Sequence, residues 1–576
     1  MWQATKQGAA AARAGKQHVP LPANERTSLD DPATGTPAPD NPARNSAGWP
    51  NDRGVNAADQ SEKATEYPAP WRLSRRRLLA TGAASVSFAA LPPGRASAGT
   101  TRLTIERRSL DVNGRPAMVF GIRQDSGAVG IALDPGQRFA VDLRNRAGVP
   151  TIIHWHGQIP PVRQDGVTQT GLETLIPAGA DQAYDYVPRP GTYWMHSHHG
   201  LQEQQLMAAP LVVRTRADLR ADAQEVTVLL QDFTFRDPQE ILAGLRHAGM
   251  AMRAPAAPGG SRMAGMATTL EGGRAMPDAA KFGAAMSGSG MRMRSDGSAA
   301  GGMDLNDVAY DAFLANDRTL ADPEVVRTER GGQVRLRLIN GAAATAFWID
   351  LGALDGTVVA VDGDPVHPVA VRRVPIAEAQ RVDVLLRIPA GGGAFPVLAQ
   401  REGDRPRTGI VLATPGATVR KLLPDAQTAA GPVDLSLERR LRARFPLAPR
   451  RPDLVYRVAL TGQMMPFIWG IDGRTWSDRL PLEVAQGKRV AFDLVNRTAM
   501  AHPMHLHGHH FQVQALNGVR FSGAMRDTVL VPIGGTVRIA FDADSPGRWL
   551  FHCHNLYHMA SGMMTEVAYA GFKGGY

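Results

Sequence analysis

At 576 residues the chain exceeds what one hydrophobic core organises, so several domains of ordinary size are expected. Its 60 Gly and 42 Pro, set against few long apolar periodic stretches, favour strands and turns over helices. The formal net charge of +10 is mild for this length, and no basic stretch interleaved with aromatic residues occurs, so nucleic acid is excluded as a partner.

Residues 1–70 are rich in Pro, Ala, Asn and Asp, lack periodicity, and read as a disordered leader. Ser74-Arg75-Arg76-Arg77-Leu78-Leu79 is a twin-arginine pattern. An apolar stretch to Leu91 follows, then Ala96-Ser97-Ala98, a small-x-small cleavage signature. The apolar run has the length of a signal core and is too short to span a bilayer. The expectation is a leader and signal over 1–98, export by the twin-arginine route to the periplasm or otherwise out of the cytoplasm, and no stable membrane anchor. So deep a signal fits either a long n-region or a start codon placed too far upstream. Residues 1–98 hold 12 Lys and Arg against 8 Asp and Glu, so four of the ten formal charges leave with them.

Beyond residue 98 the alternation in Arg335-Leu336-Arg337-Leu338-Ile339 and in Thr536-Val537-Arg538-Ile539-Ala540-Phe541, each beside a Gly-Gly turn, reads as sandwich strands. The chemistry-bearing residues are the 16 histidines, most of them in four short clusters. In chain order these are His154-Trp155-His156-Gly157, His196-Ser197-His198-His199, His502-Pro503-Met504-His505-Leu506-His507-Gly508, and a tail of His552-Cys553-His554, His558 and Met563. On a strand His-x-His puts both rings on one face, and converging neutral imidazoles are what a metal cluster needs. His247 and His367 stand alone and read as surface or loop residues. His199, His509 and His510 lie outside the repeating pattern.

Cys553 is the sole cysteine and has no disulfide partner. A soft thiolate with imidazoles and a thioether is the ligand set of a blue-copper electron-transfer site. On a strand Cys553 faces one centre while His552 and His554 reach through to a second behind it, so one tripeptide wires two sites together.

Between the second and third clusters, residues 244–303 are rich in Gly, Ala, Ser and Met and hold nine of the 21 methionines. A segment of this composition reads either as an insertion between strands or as a set of thioether ligands for Cu(I), which prefers soft sulfur.

In order and spacing the four clusters resemble the multicopper oxidases, whose motifs run HxHG, HxH, HPxHLHG and HCHxxxHxxxxM. The resemblance covers about Leu103 to Val567 and implies an all-β chain of three consecutive cupredoxin-like Greek-key sandwich or barrel domains. These are expected at 99–218, at 219–420 with the insertion, and at 450–576 after a linker at 421–449. It implies four coppers. His502, Cys553 and His558 hold the type 1 ion with Met563 axial, and His154 and His505 hold the type 2 ion. His156, His196, His198, His507, His552 and His554 hold the type 3 pair. The methionine-rich insertion, the stretch Met303 to Asn316 and Gly200-Leu201-Gln202-Glu203-Gln204 are similar to the exported copper-resistance branch.

The implied activity is one-electron oxidation of a donor coupled to four-electron reduction of dioxygen to water, with Cu(I) as donor in copper tolerance. A laccase-type oxidase of small phenols and a non-catalytic copper-binding protein are the alternatives. Asp165 matches an acidic residue that delivers protons in relatives, and equally reads as a turn residue before Gly166. Met500 matches a Cu(I)-contacting Met of metal-oxidising relatives, or is a packed residue; the acidic partner those enzymes use is Thr498 here. Met559 stands where several relatives have Glu after the second type 1 histidine. Oligomeric state is left open.

Overall fold

The computed structural model describes residues 99–251 and 305–575. The leader, the twin-arginine signal and all but the first residues of the methionine-rich stretch lie outside the described residues. Strands dominate, and they form six sheets that pair around three apolar cores. The chain is all-β, as expected, with three cupredoxin-like sandwiches in sequence. Among the described residues no helix is long and apolar enough to cross a membrane.

The first sandwich shows how sequence makes these layers. In the strand Phe139–Asn145 burial alternates residue by residue, so Phe139, Val141 and Leu143 point into the core while Ala140, Asp142 and Arg144 point out. That strand runs parallel to Thr101–Val112, with Leu103 opposite Leu143. A four-stranded sheet carrying Gly191–Ser197 and Ile153–His154 closes over it, and Trp155, Tyr193, Met195 and Leu211 fill the space between. The middle sandwich pairs six- and five-stranded sheets, and the third pairs seven- and five-stranded ones.

One expected alternation takes an unexpected form. Arg337, on the strand Gln333–Asn340, falls on the polar face as predicted but is fully buried. The first sandwich covers that face. Arg337 binds Asp383 (2.9 Å), Glu225 (2.6 Å) and the Thr192 hydroxyl (2.8 Å), and Thr192 in turn donates to Asp383 (2.6 Å). A buried guanidinium paired this fully is an interdomain pin.

A repeated device sits where each sandwich turns toward the shared interface. Asn145, Asn340 and Asn496 each end a strand, each buried, and each side-chain amide donates to carbonyls across the following loop. The acceptors are Val149 and Ile176, Thr345 and Ile376, and Met500 and Val531. Each Oδ1 accepts the amide two residues on, at Ala147, Ala342 and Thr498. Such satisfied buried amides fix loop shape. After Asn145 and Asn496 the loop delivers a histidine strand; after Asn340 it delivers Phe347 and Trp348, so the middle sandwich repeats the frame without the ligands.

Three α-helices lie among the described residues: α1 (Arg216–Arg220), α2 (Pro238–Ala251) and α3 (Leu556–Ala560). Helix α2 includes the start of the stretch read as insertion. Its Ile241, Leu242 and Leu245 pack on the core of the third sandwich, which is why that part is helical.

Candidate metal centre

Two donor clusters stand back to back at the tail. His502 opens the strand His502–Leu506, Cys553 ends the neighbouring strand Arg548–Cys553, and His558 lies on α3. Asn555 caps α3, accepting from the amides of Tyr557 and His558, and so holds the His558 turn. Cys553 Sγ is 3.6 Å from His502 Nδ1 and 3.7 Å from His558 Nδ1, and the two nitrogens are 3.1 Å apart. Donors so spaced can share one ion about 2 Å from each. All three residues are fully buried, as is Met563, whose carbonyl accepts from the Cys553 amide (3.0 Å).

Polar groups flank the outer ring nitrogens, a hydrogen bond at His502 and a close carboxylate at His558. His502 Nε2 donates to Thr498 Oγ1 (2.7 Å), and His558 Nε2 lies 2.9 Å from Asp307 Oδ2. Asn555 holds the same Asp307 oxygen (3.1 Å). Trp469 walls the pocket, its ring 4.1 Å from that of His558. Burial pushes the Cys553 thiol far above its ordinary range, so a cation has to draw the proton off.

Behind this pocket eight imidazoles converge, four from the first sandwich and four from the third. Cross-strand pairing sets the geometry, with His154 opposite His196 in one sheet and His505 opposite His552 in the other. His198, His507 and His552 form a trio with ring centroids 5.2–5.3 Å apart. His156, His196 and His554 form a second trio at 5.0–5.7 Å. His154 and His505 stand beside them, 5.8 Å apart.

Most rings have one nitrogen pinned by protein and the other bare. Nδ1 of His154 donates to the Asp165 carbonyl (2.7 Å), and Nδ1 of His505 to the Asp527 carbonyl (2.8 Å). His196 Nδ1 faces the Ser197 carbonyl (3.1 Å) and Glu203 Oε2 (2.7 Å), and His552 Nδ1 donates to the Cys553 carbonyl (2.9 Å). Nε2 of His154, His196, His198, His505 and His554, with Nδ1 of His156, are buried and without a hydrogen-bond partner. Six bare nitrogens in one buried cluster would be costly unless a metal takes them, so the donor set fits metal ions. Burial and neighbouring imidazoles hold His156, His196, His198, His505, His507 and His554 far below the usual imidazole range, and burial holds His552 at about 4. The rings are therefore neutral at physiological pH, the form that binds metal.

The ten histidines and Cys553 chosen from sequence thus come together in two groups. Asp165 is buried between two of them, with Oδ2 2.9 Å from His507 Nδ1 and Oδ1 3.4 Å from His154 Nδ1. It also makes the turn: at Gly166 (φ +81°) a Cβ would strike the Ile153 carbonyl at 1.8 Å. Met500 is packed in the third core, 5% exposed. His509 and His510 are buried and bonded to protein, His509 to Tyr569 (2.6 Å) and His510 to the Gly157 carbonyl (2.8 Å). Sequence reasoning missed Asp307, Asp527, Arg381 and the contact made by Glu203. Asp307 and Glu203 lie in stretches singled out by resemblance; Arg381 and Asp527 carry no signal in a single sequence.

Comparison with known proteins now decides the family. Multicopper oxidase family models match residues 104–218, 224–416 and 448–571. The chain belongs to the multicopper oxidase family. It is similar to multicopper oxidase MmcO of Mycobacterium tuberculosis, at 33% identity over 75% of this chain and 80% of that protein. It is also similar to a copper resistance protein A homolog of Pseudomonas syringae pv. tomato, at 28% over 81% and 91%. Among solved structures the fold matches Fet3p, a multicopper oxidase that functions in iron import, with TM-score 0.62 and 16% identity over 81% of this chain and 90% of that one. Laccase from Botrytis aclada matches with TM-score 0.62 and 20% identity over 81% and 87%. As a multicopper oxidase the protein is an oxidoreductase, and copper is the metal its family implies.

Proposed function

We propose that this multicopper oxidase oxidises Cu(I), four ions per dioxygen, in copper tolerance: 4 Cu⁺ + O₂ + 4 H⁺ → 4 Cu²⁺ + 2 H₂O. In this reading His502, Cys553, His558 and Met563 would hold a type 1 copper. His154 and His505 hold the type 2 ion, and the two histidine trios hold the type 3 pair, making four coppers per chain. Bound copper supplies the redox chemistry, with single electrons taken at one centre and four passed to dioxygen at the other three. The protein supplies the rest. Cys553 joins His552 and His554 directly, giving the shortest covalent path between the sites. Asp165, whose buried Oδ1 has no hydrogen-bond partner, stands beside two ligand rings as the candidate proton-delivering group. Domains at 99–218, 219–420 and 450–576, a linker at 421–449 and export of the mature chain by the twin-arginine route belong to the same reading.

One observation carries the choice of donor. Described residues before and after the nine methionines meet α3, the short helix that bears His558. Arg246 of α2 donates to the Ala560 carbonyl (2.8 Å), and Asp307, four residues after the last of the nine methionines, contacts His558 and Asn555. A thioether-rich segment leashed at both ends to the type 1 loop is suited to bring Cu(I) there. Met500 is a further candidate thioether on the His502 side. Oxygen uptake by the copper-loaded protein with Cu(I), Fe(II) and a phenol tests the proposal. Cu(I) is expected to give the highest kcat/KM, and a phenol preferred over both metals would make the protein a laccase-type enzyme.

A further inference from the structure

Two histidines from different sandwiches, His156 and His505, lie stacked with ring centroids 3.8 Å apart, yet present opposite nitrogens to the cluster. His156 leaves Nδ1 bare and His505 leaves Nε2 bare. A single residue accounts for both. Asp527 accepts from His156 Nε2 through Oδ1 (3.2 Å) and from His505 Nδ1 through its main-chain carbonyl (2.8 Å). Thr528 donates its hydroxyl to the same Asp527 oxygen (2.9 Å) and lies 3.2 Å from each ring.

Asp527 is itself immobilised by the sandwich that has no ligands. Arg381 of the middle domain grips both its carboxylate oxygens, one through Nη1 at 2.8 Å and the other through Nη2. Arg381 gives two further donors to the carbonyls of Ala379 (2.8 Å) and Thr192 (3.2 Å). Both residues of the pair are fully buried, and a fork-on-carboxylate contact fixes orientation as well as distance. Packing around it leaves no slack. A Cβ on Gly157, the glycine that follows His156, would lie within 2.7 Å of Asp527, Arg381 and Tyr193 at once.

We propose that Arg381 and Asp527 form a positioning pair through which the middle domain sets the ring tautomer of His156, and with it the integrity of one type 3 copper position. The inference rests on the ligand reading given above. Asp527 acts on His156 by its side chain and on His505 by its main chain, so side-chain changes fall on His156. The tautomer follows from donation: with its proton held on Nε2, His156 can offer only Nδ1 to a metal.

Copper content and electron paramagnetic resonance of the loaded protein test this without recourse to turnover. A coupled type 3 pair is silent, and losing one partner makes the other visible. Asp527→Asn keeps the shape and removes the paired grip. Arg381→Met with Asp527→Asn removes both charges together and leaves no buried ion alone. In both variants one copper is expected to bind about 10- to 100-fold more weakly, with a new paramagnetic signal and the blue type 1 centre at full strength. A silent pair at full copper content in Asp527→Asn would overturn the proposal. So would loss of the blue centre in step with the pair in the double variant, since Arg381 and Asp527 would then be a general brace. The ligand reading fails separately, if wild-type protein does not take up four coppers or if His156→Ala keeps a silent pair.

Discussion

The mononuclear pocket and the eight-histidine cluster use the same side chain by opposite means. Every donor of the pocket comes from one sheet of the third sandwich and the loop leaving it, and both its histidines turn Nδ1 inward. The cluster draws four rings from each of two sandwiches and exists only when they dock. There Nε2 faces inward except at His156, and buried carboxylates hold rings across domain boundaries: Asp165 from the first sandwich on His507 of the third, Asp527 from the third on His156 of the first. Backbone geometry places every donor of the pocket, with one carboxylate of the middle sandwich, Asp307, at its outer edge, whereas the cluster needs polar pins across the interface that brings its donors together.

The sharpest way to break the comparison is Cys553→Ser. On the proposed reading, replacing the thiolate is expected to abolish the blue colour and all turnover, because the absorption would belong to a copper–sulfur bond and the electron path would run through that residue. The cluster shares no donor with Cys553 and should keep about three coppers per chain. Metal analysis beside the visible spectrum measures both, and a variant that stays blue would remove the type 1 assignment.

Acid should attack the cluster more than the pocket in the metal-free protein. In the cluster His552 is held at about 4, below the ordinary value of 6.5, and six further rings are lowered as well; outside it His509 is held at about 4 and the pocket ring His502 is lowered. Between pH 6.5 and 4 the unfolded chain binds more protons than the folded one, so stability falls as pH falls through that window. Each such ring weakens the fold by up to about 1.4 kcal/mol per pH unit. Cys553 has the opposite sign: its raised value leaves stability whole below the ordinary thiol range and removes it as pH rises above that range. Denaturant melts of metal-free protein at pH 7.5, 6 and 5 should therefore show a steep acid loss. A flat profile from 7.5 to 5 would mean the rings are not buried neutral.

Much of this site was legible in sequence for a physical reason. Metal donors next to one another on a strand are constrained by spacing alone, so His154-Trp155-His156 and His552-Cys553-His554 announce which rings share a face. Sandwich strands were legible through the same period-two alternation, as at Thr536–Phe541, and the arrangement in three domains through the family resemblance. What holds the rings was not. Arg381 lies 146 residues from Asp527, and Asp307 is 251 residues from His558, so no local pattern links them. Arg337 shows the same limit: alternation puts it on the polar face, and only docking reveals that the face is buried.

Asp165→Asn sharpens the contrast on the cluster side. The amide can still accept from His507 but cannot carry an acidic proton, so reoxidation by dioxygen is expected to slow roughly 10- to 100-fold. Reduction of the blue centre by donor should be unchanged, because Asp165 touches no residue of the mononuclear pocket. Stopped-flow measurement of each half-reaction separates them. Equal slowing of both, or of neither, would leave Asp165 as the turn residue before Gly166.

The smallest effect is expected on the pocket side, at Asp307. Its Oδ2 stands 2.9 Å from His558 Nε2 and its Oδ1 is buried without a partner, so on the proposed reading the carboxylate puts negative charge at the outer edge of a type 1 centre. A cationic donor gains from that charge and a neutral phenol does not. Asp307→Asn keeps the volume and the contact with Asn555 while removing the charge. KM for Cu(I) should rise roughly tenfold, with turnover of a small phenol little altered and the blue spectrum near that of wild type. If both donors lose equally, Asp307 serves only to orient His558. If neither changes, electrons enter elsewhere, and the exposed edge by Met465 and Ile468 on the hairpin leading to Trp469 becomes the place to look.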